Sequence, residues 1–464
     1  MKKSILALIF SGAILFTSCK TEATVDSAEV QKIVDAAVAA ALQNYPNTQV
    51  IADAAAAAAT QAVNAGLASL DINGAIEAAL STADALTNPT VVRVGTGGVT
   101  YISSNTTWTN DKVWLMDGKI VVQNGATLTV EAGTIVKAAA GTGANATVLI
   151  VAKGAKIEAI GTAEKPIIFT DANDQIVYAN GTTSPNRSVT DKGLWGSVII
   201  LGNGIVGAAS GEANIEGVVS GYEFTKYGGS NNAENSGTLK YVSIRHTGTA
   251  VSPGNELQGL TMGGVGSGTV IENIELIGSE DDGIEIFGGA VNVTNIVIAN
   301  FDDDGIDLDQ AYDGTISNAV VIMAPGSDTV FEIDGTEEPN NAIVGEYTIK
   351  NVTAYGRSDA AKFDTFGNWK SDATGFNKNV LFVDFPASTT LGGIDSDTYD
   401  GAGTAPIEGK LNFKDFIVVT SDSKATVVGG QVDEASATWI SVSTTRPSSK
   451  GADESVFGWT QFFN

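Results

Sequence analysis

One cysteine and one histidine in 464 residues leave little room for several kinds of chemistry. A disulfide framework or a cysteine-built zinc site needs more thiols than Cys19 alone supplies. A multi-histidine metal centre is excluded in the same way, because His246 stands alone. Basic residues are scarce too, 26 against 53 acidic ones, for a net charge of −27. Such a surface repels phosphate backbones, so no nucleic-acid partner is expected. No run of about 18 apolar residues exists, so no membrane-spanning helix is expected. What the chain has in quantity is glycine, 53 residues, within a composition that is 43% hydrophobic and too apolar for a disordered chain.

Lys2 and Lys3 precede an apolar run from Ile5 to Phe16, shaped like a signal peptide. Phe16-Thr17-Ser18-Cys19 closes it with small residues directly before the cysteine. That ending resembles a bacterial lipobox, with Phe16 in place of the usual leucine. The resemblance implies a signal peptide over 1–18, a lipidated Cys19, a tether over 19–25, and acyl chains as the membrane attachment. Residues 26–89 are alanine-rich. Asp26 and Glu29 have capping-box spacing, and Val30, Ile33, Val34, Ala37, Val38, Ala41 and Leu42 recur at helical intervals. This segment reads as a helical spacer. Its small-residue stripe is either a coiled-coil seam for self-association through 26–88 or the contact of weakly packed helices.

After Pro89 the pattern changes to short β-branched runs punctuated by glycine. Gly154-Ala155-Lys156-Ile157-Glu158-Ala159, followed by Lys165-Pro166-Ile167-Ile168-Phe169-Thr170, resembles the opening coils of bacterial right-handed parallel β-helices. Repetition supports a solenoid independently. Asn273, Asn295, Asn318, Asn351 and Asn379 each precede a short apolar strand and stand 22, 23, 33 and 28 residues apart. A coil of 22 or 23 residues with occasional insertions accounts for this, and stacked asparagines can hydrogen-bond along the axis. The fold class expected is mainly β, a right-handed parallel β-helix over 90–464 behind the α-helical spacer. A β-sandwich or propeller fits the 22-residue register less well.

Two acidic segments repeat at one coil's spacing, Asp281-Asp282-Gly283-Ile284-Glu285-Ile286 and Asp303-Asp304-Gly305-Ile306-Asp307-Leu308. Stacking places Asp281 over Asp303, Asp282 over Asp304 and Glu285 over Asp307. Carboxylates so close repel, so a cation lies between them, one is held protonated, or the turns are bathed in solvent. Ca2+ suits an oxygen-only ligand set. The stack is also similar to the acid and base of polygalacturonases, which implies Asp282 and Asp304 as the pair if the chain is a hydrolase. No Gly-His-Gly or Arg-Ile-Lys follows it, however. A β-helical lyase would need a basic residue beside calcium, for which Lys240 and Arg245 are the candidates. His246 reads as a strand-end residue. Asp395, Asp397 and Asp400 resemble a displaced EF-hand loop and form a second candidate metal site. Trp369, in a polar stretch beside Lys370, is the candidate sugar-stacking platform.

The motifs Trp195-Gly196-Ser197-Val198-Ile199-Ile200-Leu201-Gly202, Leu257-Gln258-Gly259-Leu260-Thr261-Met262-Gly263-Gly264 and Asp281-Asp282-Gly283-Ile284-Glu285-Ile286-Phe287-Gly288-Gly289 occur in that order. Over residues 95–464 this is similar to a group of Bacteroidota cell-envelope lipoproteins with a right-handed β-helix domain. The resemblance implies an outer-membrane, surface-exposed location and supplies no catalytic residues. The leading expectation is a non-enzymatic lipoprotein whose β-helix binds a glycan or an envelope protein. The alternatives are a calcium-dependent polysaccharide lyase or glycoside hydrolase, and a structural or adhesive component.

Overall fold

A coil of this chain is made from one short strand and one long bent strand, and glycine and asparagine decide where the bends fall. The computed structural model describes residues 89–218, 221–251, 257–337, 343–357, 363, 365–394, 399–401 and 409–463. The lipidation candidate Cys19, the helical spacer, Asp395 and Asp397 lie outside the described residues. One compact unit comprises Val91–Ile176 with Thr182–Asn464.

The larger unit is built from parallel strands stacked coil upon coil. Its nine-stranded sheet runs through Val99–Ile102, Lys119–Val122, Val148–Val151, Val198–Leu201, Leu260–Gly263, Ile284–Phe287, Ile306–Asp309, Phe331–Asp334 and Gly367–Lys370. The larger sheet holds the long strands Gly237–Thr247, Val270–Ser279, Asn292–Phe301, Thr315–Ile322, Tyr347–Tyr355, Gly375–Val383 and Leu411–Val419. In the first coils each long strand is still two, such as Lys156–Ile160 and Ile167–Asp171, which pair with the two arms of Gly237–Thr247.

The bend in the middle of each long strand sits on a residue with positive φ, Tyr241 at 50° in the first and asparagine or aspartate in those that follow. Asn273, Asn295, Asn318, Asn351, Asn379 and Asp415 have φ between 55° and 59°. Asparagine and aspartate tolerate this left-handed conformation better than branched residues do. The side chains then stack as the spacing predicts. Asn295 Nδ2 donates to Asn273 Oδ1 at 3.0 Å, Asn318 Nδ2 to Asn295 Oδ1 at 2.8 Å, and Asn379 Nδ2 to Asn351 Oδ1 at 2.8 Å.

Alternate residues of every strand point inward and form the core. Ile284, Ile306 and Phe331 make one buried column, and Ile274, Ile296, Ala319, Val352, Val380 and Phe416 another. Each fully buried aliphatic side chain stabilises by about 1.5–3 kcal/mol.

Two long segments are among those that cover the outside of the coils. Residues 203–235 lay Val206, Ala208, Ile215, Phe224 and Tyr227 on Ile150, Ile199, Leu201 and Phe287 of the nine-stranded sheet. Residues 451–463 run back along the asparagine ladder. Gly451 N–H donates to Asn379 Oδ1 at 3.0 Å, Ala452 N–H to Thr353 Oγ1 at 2.9 Å, and Phe462 N–H to Glu275 Oε1 at 3.0 Å.

Trp369 is not an exposed platform. It lies wholly buried in the strand Gly367–Lys370, with Phe331 at 6.0 Å and Phe413 at 5.0 Å between ring centroids. Its polar neighbours Asn368 and Lys370 occupy the outward positions, and strand alternation turns Trp369 into the core.

Candidate cation site

The acidic repeat straddles a corner, with its aspartates on the turn and Glu285 or Asp307 in the strand that follows. Glycine is required between them. A Cβ at Gly283 would lie 2.1 Å from Ile298 Cγ2, and one at Gly305 would lie 2.6 Å from Val321 Cγ1. The corner therefore turns tightly inward and leaves the preceding carboxylates on its outer side. Strand register places Glu285 beside Asp307 and Asp307 beside Glu332, as the 22-residue repeat predicts for the first pair.

The presumed acid and base are already engaged. Asp282 Oδ1 accepts the Asp304 N–H at 2.9 Å, one coil on. Asp304 Oδ1 accepts the Thr329 N–H at 2.7 Å, one coil further, and the Thr329 hydroxyl as well. Both are buried, Asp282 6% exposed and Asp304 2%. Burial pushes Asp282 well above the usual carboxylate range, and pushes Asp304 up to about 8. Each carboxylate ties a corner to its successor.

Three groups of carboxylates converge, with one oxygen from each residue within 4.8 Å of the others: Asp281, Asp282 and Asp303; Asp282, Glu285 and Asp307; and Asp303, Asp304 and Asp328. Two negative charges no further apart than that repel by at least about 3 kcal/mol at an effective dielectric constant of about 20. Glu285 and Asp307 are, like Asp282, raised well above their ordinary values, first by burial and then by neighbouring carboxylates. Asp309 is pushed up to about 7 by burial and by Asp334, Glu332 and Glu337.

Cations offset only the margins. Lys192 pairs with Asp302, and Lys370 pairs with Glu332 and with Asp334 at 3.3 Å. Among the described residues no ion pair reaches Asp282, Glu285 or Asp307. The two lyase-base candidates serve the other sheet. Lys240 pairs with Glu272 at 2.9 Å, and the fully buried Arg245 with Glu275 at 3.3 Å. His246 is the penultimate residue of its strand, buried, with Nδ1 2.7 Å from the Asp191 carbonyl oxygen. Asp400 lies in the strand Tyr399–Gly401.

Sequence reasoning missed Asp328, Asp309, Glu332 and Asp334. Phe331-Glu332-Ile333-Asp334 repeats the alternation of Ile306-Asp307-Leu308-Asp309, a signal that was available. Asp328 was hidden because Thr329 and Val330 stand where the earlier two corners have aspartate and glycine.

Stacked parallel coils with outward carboxylate columns define a parallel β-helix protein. A family model described as a pectate-lyase-like β-helix domain matches residues 100–463, and the chain belongs to that family. No curated protein and no solved structure matches it.

Proposed function

We propose that this is an outer-membrane, surface-exposed lipoprotein of the Bacteroidota type, anchored through Cys19, whose right-handed β-helix serves as a binding or structural scaffold. Its ligand is a glycan or another envelope protein, and calcium occupies the acidic stack. The observation that carries the non-enzymatic reading is the engagement of Asp282 and Asp304. A glycosidase pair must face substrate across a cleft, whereas these two carboxylates are buried and accept backbone N–H groups of neighbouring coils. Membership of a pectate-lyase-like family favours a second reading, a calcium-dependent lyase or hydrolase acting on a surface glycan.

One screen separates the two readings. The full chain is applied to a glycan array and, in parallel, incubated with the same glycans while reducing ends are measured. Capture without new reducing ends supports the scaffold; release that Asp282→Asn and Asp304→Asn abolish supports the enzyme. The anchor is tested by fractionation. A Cys19→Ala chain that still sediments with membranes would overturn the lipoprotein assignment.

A further inference from the structure

Of the three carboxylate groups, two have other uses for their oxygens. Asp281, Asp303 and Asp328 each have further polar interactions, Asp303 is exposed, and Asp304 is taken up by Thr329. The group made by Asp282, Glu285 and Asp307 differs. Glu285 is 5% exposed and Asp307 is 8% exposed, yet Glu285 Oε2 and Asp307 Oδ1 have no hydrogen-bond partner among the described residues. A buried, unpartnered carboxylate oxygen is costly, because desolvation is not returned by any bond. A cation at the centre of the triad would satisfy both.

The preceding coil and a covering segment lie near the triad. On the coil before it, Thr261 stands in register with Glu285, and its hydroxyl donates to Gln258 Oε1 at 2.7 Å. On its flank the segment Val206–Gly207 crosses Gly288 and Gln310, with Gly207 N–H donating to the Gln310 carbonyl at 2.8 Å. Thr336 Oγ1 and Glu337 N–H both donate to the Gly207 carbonyl, at 3.2 and 3.1 Å. The covering segment is thus tied to the coil after the triad.

We propose that Asp282, Glu285 and Asp307 hold one internal Ca2+ ion, which clamps a corner and two successive strands beside the covering segment. Three carboxylate oxygens that all lie within 4.8 Å of one another can reach a single ion between them. Three carboxylates supply hard oxygen donors, and a thiol or imidazole is absent from the group. The proposal rests on the reading of the acidic stack as cation-binding, but not on the envelope location or on the absence of catalysis.

The test uses the full chain, stripped with chelator and titrated with CaCl2 alone by calorimetry, with native mass spectrometry to count ions. The expected result is one tightly bound Ca2+ per chain and a Tm that rises by several degrees in excess calcium. Glu285→Gln with Asp307→Asn should weaken that binding at least a hundredfold and abolish the calcium-dependent rise in Tm. Because the amides are isosteric and remove repulsion, the calcium-free variant should melt no lower than the calcium-free wild type. Asp303→Asn with Asp328→Asn should leave the tight site intact. Wild type that takes up no calcium overturns the proposal. So does tight binding that survives in the Glu285/Asp307 variant, or that is lost in the Asp303/Asp328 variant, since either places the ion on the open corner. A glycan screen that revealed turnover would overturn the scaffold reading and leave this outcome unaffected.

Discussion

Replacing Glu275 with alanine should do more damage than any surface change, for reasons that can be worked through group by group. Glu275 and Arg245 are both fully buried. Glu275 Oε2 accepts from Arg245 Nη2 at 3.3 Å and from the Ser243 hydroxyl at 2.6 Å, while Oε1 accepts the Phe462 N–H. Glu275→Ala strands the Arg245 guanidinium, a loss of about 3–5 kcal/mol for a buried ion pair cut on one side. The orphaned Phe462 N–H adds about 1 kcal/mol. The expected total is about 4–6 kcal/mol. Glu275→Gln keeps an acceptor for Phe462 and should cost about half as much. Arg245→Met combined with Glu275→Leu removes both charges and should fall within about 2 kcal/mol of wild type. Urea unfolding gives the totals. Because stacked repeats can open in parts, hydrogen exchange at Phe462 supplies a local readout. A Glu275→Ala chain within 1 kcal/mol of wild type would refute the reasoning. A double variant as damaged as the single one would assign the loss to packing instead.

Three further outcomes are expected. His246 is buried and held below its ordinary value of 6.5, first by desolvation; below about pH 6.5 the unfolded chain therefore takes up a proton that the folded chain refuses. Its contribution is present above that pH and lost as pH falls, so Tm from pH 7.5 to about 5.5 should drop more in wild type than in His246→Asn, and equal slopes would contradict this. Asn295→Ala loses two ladder hydrogen bonds and puts a Cβ-bearing residue without a helpful side chain at φ 58°. It should cost about 2–3 kcal/mol in urea unfolding, and Asn295→Gly should recover about 1 kcal/mol of that. Trp369→Ala should cost about 3–5 kcal/mol and leave any glycan capture on the array unchanged at temperatures where the chain stays folded; selective loss of capture at unchanged stability would restore the platform reading.

The repeat was legible because a coil corner makes demands that few residues meet. Only glycine fits where Gly283 and Gly305 turn inward, and asparagine both tolerates positive φ and bonds to its neighbour above. The register of Glu285 over Asp307 followed from that same 22-residue spacing. Burial was not legible. Alternation alone sends Glu285 and Asp307 outward, toward solvent, and nothing local reveals that a segment some 80 residues earlier lies close by. Trp369 failed for the opposite reason. Its polar neighbours suggested exposure, whereas period-two alternation between Asn368 and Lys370 already pointed the indole inward.

The returning segment 451–463 shows why the ladder and the buried ion pair belong to one design. An asparagine in the ladder carries one acceptor and two donor hydrogens, more than its two stacked neighbours use. Asn379 donates to the Gly451 carbonyl at 3.2 Å while accepting from the Gly451 N–H, and Asn318 forms the same reciprocal pair with Asp453. These asparagines therefore present a strand-like edge to the segment, from side chains instead of backbone. Phe457 then reaches the outward side chains Val297 and Val320, and Trp459 meets the Tyr241 ring edge-on at 5.4 Å. Further along, the Phe462 N–H caps Glu275 above Arg245. The docked segment thus supplies one cap to this deep charge pair, and it is held in place by hydrogen bonds that the asparagines had to spare.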